Sequence, residues 1–233
     1  MCLLPDTFAP GFSMEVVPMF KEIMQGQKRS LVHDAIEEVI QMIEKAESMF
    51  SISCDTLLNN KPTADITRED EDINTGERVV RRILFQHLMV NPSQDLPASI
   101  SVLSIVHDVE RMGDYAKSLL ELNQWGALCN PDSRYGEICR ELQGMIKPLF
   151  GQAIQAMREG DVDAARQLMQ CHVEIKKRTD DFMRLAMEDS GADRDTVLHC
   201  LAARYLRRVS GHLSNVASSL VNPLDQLAAT AAE

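Results

Sequence analysis

The chain has 233 residues, a formal net charge of −11, 45% hydrophobic side chains and only 5% aromatic ones. That length suits one large domain or two small ones with a sizeable core, and the shortage of aromatics beside abundant Leu, Met, Ile and Ala favours helices over a sheet. An acidic chain gains little from counterion release on a polyphosphate, which argues against nucleic acid as a partner.

The acidity is uneven. Residues 1–125 carry 20 acidic and 11 basic side chains, and residues 126–233 carry 15 and 13. Such a surface suits cations or a basic partner, and it equally suits an ordinary soluble chain. Cys2, Cys54, Cys129, Cys139, Cys171 and Cys200 form no Cys-x-x-Cys pair. They read as reduced, mostly buried thiols of a cytoplasmic protein. No stretch approaches the ~20 apolar residues of a membrane span, and Met1 to Pro10 lacks the basic and apolar regions of a signal peptide. The expectation is a cytoplasmic chain that could still sit at the inner membrane through a partner.

The first helical pattern runs from about Arg29 to Leu58, with Ile36, Val39, Ile40, Ile43, Ala46, Phe50 and Leu57 at helical spacing. Asn59 to Pro62 stops it. The second runs from about Asp65 to Met89 on Ile73, Val80, Leu84 and Leu88, until Asn91-Pro92. The third, Ala98 to Asn123, turns Val102, Ile105, Val109, Met112, Ala116 and Leu119 inward, and Trp125 reads as a packing residue at its end. Asn130 to Ser133 links two halves.

The fourth helix, Ser133 to Arg158, rests on Ile138, Leu142, Ile146, Leu149 and Ala153, with a kink expected at Pro148. Glu159-Gly160-Asp161 is a glycine stop followed by an aspartate cap. The fifth helix reaches about Met187 on Val162, Ala165, Leu168, Ile175, Phe182 and Leu185. The sixth runs from about Asp195 to Val221, ahead of Pro223. Short connections favour antiparallel neighbours. The expected fold is all-α: two three-helix bundles, residues 20–125 and 133–225, with a single six-helix array as the structural alternative. Residues 1–20 are left unassigned.

The third helix holds the most informative segment, Asp108-Val109-Glu110-Arg111-Met112-Gly113-Asp114-Tyr115. Glu110 and Asp114 lie four apart on one helical face, and His107 joins them. On the second helix Asp70, Asn74 and Glu77 share a face, next to the run Glu69 to Asp72. If the two faces meet, clustered carboxylates with one imidazole suit a divalent ion, with iron, manganese or zinc favoured by the histidine. Acidic residues near a helix start are also common because they complement the dipole. On spacing alone a solvated acidic face outweighs a metal site.

A faded copy of the segment follows 97 residues later as Tyr205-Leu206-Arg207-Arg208-Val209-Ser210-Gly211-His212. Glu110 falls on Arg207 and Asp114 on Gly211, so the second face has lost its carboxylates. Lys176, Lys177, Arg178, Arg204, Arg207 and Arg208 make it basic, fit for phosphate or an acidic partner. Local ion pairs with Glu174, Asp180 and Asp181 are the more ordinary reading. No Gly-x-Ser-x-Gly elbow, phosphate-cradling glycine loop or His-Glu-x-x-His motif is present.

Pro92-x-x-Asp95-Leu96, followed by Leu103 and Glu110-Arg111-Met112-Gly113-Asp114, resembles the PhoU family of phosphate-signalling regulators. Members typically carry a Pro-x-x-Asp-Leu-Arg start and a Leu-Glu-Arg-Ile-Gly-Asp-His core in each of two halves. Here Pro97 stands in place of the Arg, and the second core keeps Leu206, Arg208, Val209, His212 and Asn215 in register. The resemblance implies two three-helix bundles related by pseudo-twofold symmetry and a non-enzymatic role.

The resemblance also implies multinuclear iron or zinc clusters on Glu/Asp-x-x-x-Asp motifs. Glu110 and Asp114 match one motif fully, Asp70 and Asn74 match another with one substitution, and Arg207 and Gly211 break a third. At most one cluster is therefore expected, on the first half. The implied partners are a phosphate ABC transporter complex and a sensor histidine kinase, and a homodimer is left open. Two rival readings are an accessory regulator of a sodium- or metal-coupled phosphate carrier and a metal-dependent helical phosphohydrolase. The third is a helical scaffold whose acidic face binds nothing.

Overall fold

The computed structural model describes residues 16–26, 30–59, 61–125 and 132–221, and every regular element in them is helical. In chain order the elements are α1 (Val16–Gln25), α2 (Leu31–Asn59), α3 (Thr67–Val90), α4 (Leu96–Glu121), a 3₁₀ turn at Leu122–Trp125, α5 (Arg134–Glu159), α6 (Val162–Glu188) and α7 (Arg194–Val221). The six long helices fall within a few residues of the periodic patterns. α1 is additional.

Local chemistry sets the ends. Ser133 caps α5 by accepting from the Gly136 amide at 3.0 Å, and Asp161 caps α6 by accepting from the Asp163 and Ala164 amides at 3.0 Å. Gly160 closes α5 with φ of 62°, a left-handed conformation that costs glycine little. Pro148 lies inside α5 without ending it, so the missing donor is absorbed within the helix.

α2, α3 and α4 pack on one another, as do α5, α6 and α7; α4 lies against α7, and α2 against α5. Most predicted core positions are buried, from Ile36, Ile40 and Phe50 on α2 to Leu206, Val209 and Leu213 on α7. Phe50 of α2 meets Phe150 of α5 with ring centroids 5.4 Å apart, carrying the core across the two helix sets. Gly76 lets α3 approach α2 closely: a Cβ there would stand 2.7 Å from Met42 Cγ. α1 packs mainly on α5 and inserts the fully buried Phe20.

Four expectations are corrected. Ile138, Val162 and Leu185 are only partly buried. In α3, His87 is buried where Leu88 was expected, because its Nε2–H donates to the Gln94 carbonyl at 2.8 Å and satisfies the ring. Trp125 is 68% exposed, since the 3₁₀ turn carries it off the end of α4. Of the thiols, Cys54 and Cys139 are buried and Cys171 and Cys200 half-buried; Cys2 and Cys129 lie outside the described residues.

Candidate functional site

Antiparallel α3 and α4 bring the two acidic faces together, and cations come with them. Asp70, in the first turn of α3, accepts from Lys117 Nζ of α4 at 2.9 Å. Asp114 accepts from Arg111 Nη1 at 3.1 Å. Glu77 pairs with Arg81 at 2.8 Å, and His107 Nδ1 lies between Glu77 Oε1 at 3.5 Å and Glu110 Oε2 at 3.4 Å. Glu110 is the strained member. Its Oε2 is buried without a hydrogen-bond partner, and burial, then the neighbouring Asp114 charge, push its carboxyl above the usual carboxylate range.

This arrangement is an ion-pair mosaic. Asp70 and Asp114 already face Lys117 and Arg111, and Asn74 offers a neutral amide. His107, Glu77 and Glu110 meet as an ion-paired set, and among the described residues no group of three or more His, Cys, Asp or Glu is placed to hold a metal ion. Of the expected donor set, Asp70 and Asp114 are engaged in ion pairs, Glu110 lies beside His107, and Asn74 contributes a neutral amide. Arg111 stood within reach of sequence reasoning, three residues before Asp114. Lys117 did not, because its partner is 47 residues away.

The equivalent face on α6 and α7 is basic and locally paired. Arg178 Nε reaches Glu174 and its Nη1 reaches Glu141, each at 3.2 Å, and Arg207 Nη1 pairs with Asp180. Where Asp114 stands in the first half, Gly211 leaves its side open to His172, whose Cε1 would lie 3.5 Å from an added Cβ. His172 Nδ1–H donates to Ser210 Oγ at 2.9 Å, and that hydroxyl donates to the Arg207 carbonyl at 2.8 Å. Burial, then Arg207, Lys176 and His212, hold the imidazole down at about 4.

Between the faces the two core segments pack on each other. Asp108 Oδ1 accepts from both His212 Nδ1–H and Asn215 Nδ2–H, each at 2.8 Å. Tyr115 stacks on His212 with centroids 5.5 Å apart and lies 6.0 Å from Tyr205. Under the 97-residue offset Asp108 becomes Tyr205 and Tyr115 becomes His212. The contacts 108–212 and 115–205 are therefore images of one another, as across a twofold axis. The duplication is a three-dimensional pseudo-symmetry, with α4 and α7 antiparallel at its axis.

Residues 39–122, which cover the mosaic and half of this seam, match the family model described as "PhoU domain". The stretch is similar to a PhoU domain. Two curated proteins, each named "Phosphate-specific transport system accessory protein PhoU homolog", align over most of the PhoU-like chain. The one from Synechocystis is 25% identical over 78% of this chain and 84% of its own length. The one from Clostridium acetobutylicum is 21% identical over 82% and 85%. The crystal structure of PhoU from Pseudomonas aeruginosa superposes with a TM-score of 0.70 at 23% identity, over 82% of this chain and 95% of that one. At that identity the likeness speaks for the fold, an all-helical bundle.

Proposed function

We propose that this PhoU-like chain is a non-enzymatic accessory regulator of phosphate transport, working through contact of its helical surfaces with other proteins. The observation that carries the reading is the likeness to a PhoU domain at residues 39–122, in a chain whose relatives bear the name of phosphate-specific transport accessory proteins. The helices support it physically. They build a rigid, duplicated frame whose two long faces are densely charged and locally neutralised, a surface suited to specific, salt-sensitive contacts. The partners proposed are a phosphate transporter complex and the sensor histidine kinase that reports on it. The chain would work in the cytoplasm and reach the inner membrane by way of that complex.

Metal binding is a separate proposal. If a metal binds, Glu110 and Asp114, with Asp70 and Asn74, are the residues that would hold it, after Arg111 and Lys117 swing away. Elemental analysis of protein prepared without chelator, beside the Glu110→Ala/Asp114→Ala variant, tests that part separately. The regulatory reading is tested by deleting the gene in its own host and following phosphate uptake and a phosphate-starvation reporter. Derepression of the reporter at high phosphate, together with co-purification of a phosphate transporter ATPase subunit, is the expected result. Unchanged uptake and unchanged reporter would overturn the reading.

A further inference from the structure

The outward stripe of α3 changes character along its length. Arg78, Arg82, Phe85 and Met89 follow at spacings of four, three and four, opposite the core-facing Val80, Leu84 and His87, and so lie on one solvent line. Across the hairpin, α4 begins with Leu96 and Ile100 on its own outward side. Phe85, Met89, Val90, Leu96 and Ile100 are between 38% and 75% exposed, so one end of the α3–α4 hairpin carries nearly half of the large exposed apolar side chains among the described residues. Scattered exposed hydrophobics need no explanation, whereas a contiguous set rimmed by charge does.

The rim is basic in an acidic protein. From Arg78 to His107 the sequence holds Arg78, Arg81 and Arg82, and Asp95 is its only carboxylate. Arg81 is spent on Glu77, whereas Arg78 donates to the neutral Thr75 hydroxyl and forms no ion pair with a carboxylate among the described residues. Glu110 lies fourteen residues from Leu96 along α4, which is about 21 Å of helix and more than two screening lengths of ~8 Å at physiological salt. The mosaic carboxylate Glu110 is therefore largely screened at this end, while Glu38 of the neighbouring α2 reaches α3 at Gly76. The pseudo-symmetric α6–α7 hairpin end shows the contrast. It also exposes Met187, Val197 and Leu201, but in the segment 184–195 four carboxylates, Glu188, Asp189, Asp193 and Asp195, outnumber Arg184 and Arg194.

We infer that the α3–α4 hairpin end docks directly on an anionic lipid surface, with Phe85, Met89, Val90 and Leu96 entering the headgroup boundary and Arg78 and Arg82 meeting lipid phosphates. Apolar side chains beside arginines are the composition such interfaces select, and each arginine near an anionic leaflet strengthens binding about fivefold. The inference does not rest on the accessory reading and survives or fails without it.

The test is co-sedimentation of the full chain with vesicles of phosphatidylcholine alone and of phosphatidylcholine with roughly one-third phosphatidylglycerol. The anionic vesicles should bind the parent, and more weakly as salt rises. Arg78→Gln/Arg82→Gln should lower the partition about 25-fold, and Phe85→Ser/Met89→Ser at least tenfold. Met187→Ser/Val197→Ser on the acidic hairpin should bind as the parent does. All these positions are exposed, and circular dichroism melting checks that each variant is folded; a misfolded pair is replaced by Arg82→Gln or Phe85→Ala alone. No binding of the parent to anionic vesicles would overturn the inference, as would equal binding by the variants at the α3–α4 end. Loss of binding in the acidic-hairpin variant would overturn it too.

Discussion

Asp108 is the residue on which the contact between α4 and α7 can be tested most sharply. One oxygen accepts from His212 and Asn215 at 2.8 Å each, and the Asp108 and His212 side chains are each 19% exposed. Hydrogen bonds to a charged acceptor contribute about 1.5–3 kcal/mol each when dry. Water reaches this pair in part, so Asp108→Ala should cost about 2–3 kcal/mol in total, enough to lower Tm by roughly 4–12 °C for a chain of this size. Asp108→Asn keeps an acceptor and should cost about 1 kcal/mol. Urea denaturation of the parent, Asp108→Ala, His212→Ala and the double variant closes a cycle whose coupling should be about 1 kcal/mol. A loss below about 0.5 kcal/mol for Asp108→Ala, or a coupling of zero, would refute the claim that this contact ties the two core segments together.

Gly144 and Gly151 sit inside α5 with nothing within 4 Å of an added Cβ, so Gly144→Ala and Gly151→Ala should each stabilise by about 0.5–1 kcal/mol in thermal melts, by helix propensity alone. His172 is held at about 4 against 6.5 when free. The unfolded chain thus binds the extra proton between those values, and stability should fall as pH drops from 6.5 towards 4. His172→Gln should flatten that limb in denaturant titrations, and an unchanged slope would count against the burial argument. Glu110 has the opposite sense, because its carboxyl is raised. Glu110→Gln should stabilise at neutral pH and lose its advantage below the ordinary carboxylate range, as read by melts at pH 7 and pH 4.

The six long helices were legible because burying one face of a helix imposes a 3.6-residue period, and the chain keeps it over 24 or more residues each time. α1 was not: ten residues with Pro18 near the start give too short a pattern, and its docking rests on Phe20. The candidate site was half legible. Glu110 and Asp114 advertise themselves by spacing on one helix, but what neutralises Asp70 is Lys117 on another. The seam was illegible for the same reason, since Asp108 and His212 are 104 residues apart. His87 in place of Leu88 shows a subtler limit: a polar ring goes inside when a connecting segment offers it a carbonyl.

The duplication also shows what packing holds and what solvent releases. On α4, Ser99, Ser101, Val102, Ile105, Val106, Val109, Met112, Gly113, Ala116 and Leu119 are buried. Shifted by 97 they fall on Thr196, Leu198, His199, Ala202, Ala203, Leu206, Val209, Ser210, Leu213 and Val216, every one of them buried on α7. Ala98, also buried on α4, is the exception: it falls on Asp195, which is only partly buried in the first turn of α7. Side chains differ between the sets, yet along the body of the helices inside stays inside, because a core position that turned charged would lose its burial, as Asp195 does, or hold an unpaired ion. The outward positions carry no such constraint: His107 became Arg204, Glu110 became Arg207 and Asp114 became Gly211. One half thus presents an acidic mosaic and the other a basic one, on a frame that is nearly the same. The frame thus carries two surfaces of opposite sign, joined through the seam at Asp108, Tyr115, Tyr205 and His212.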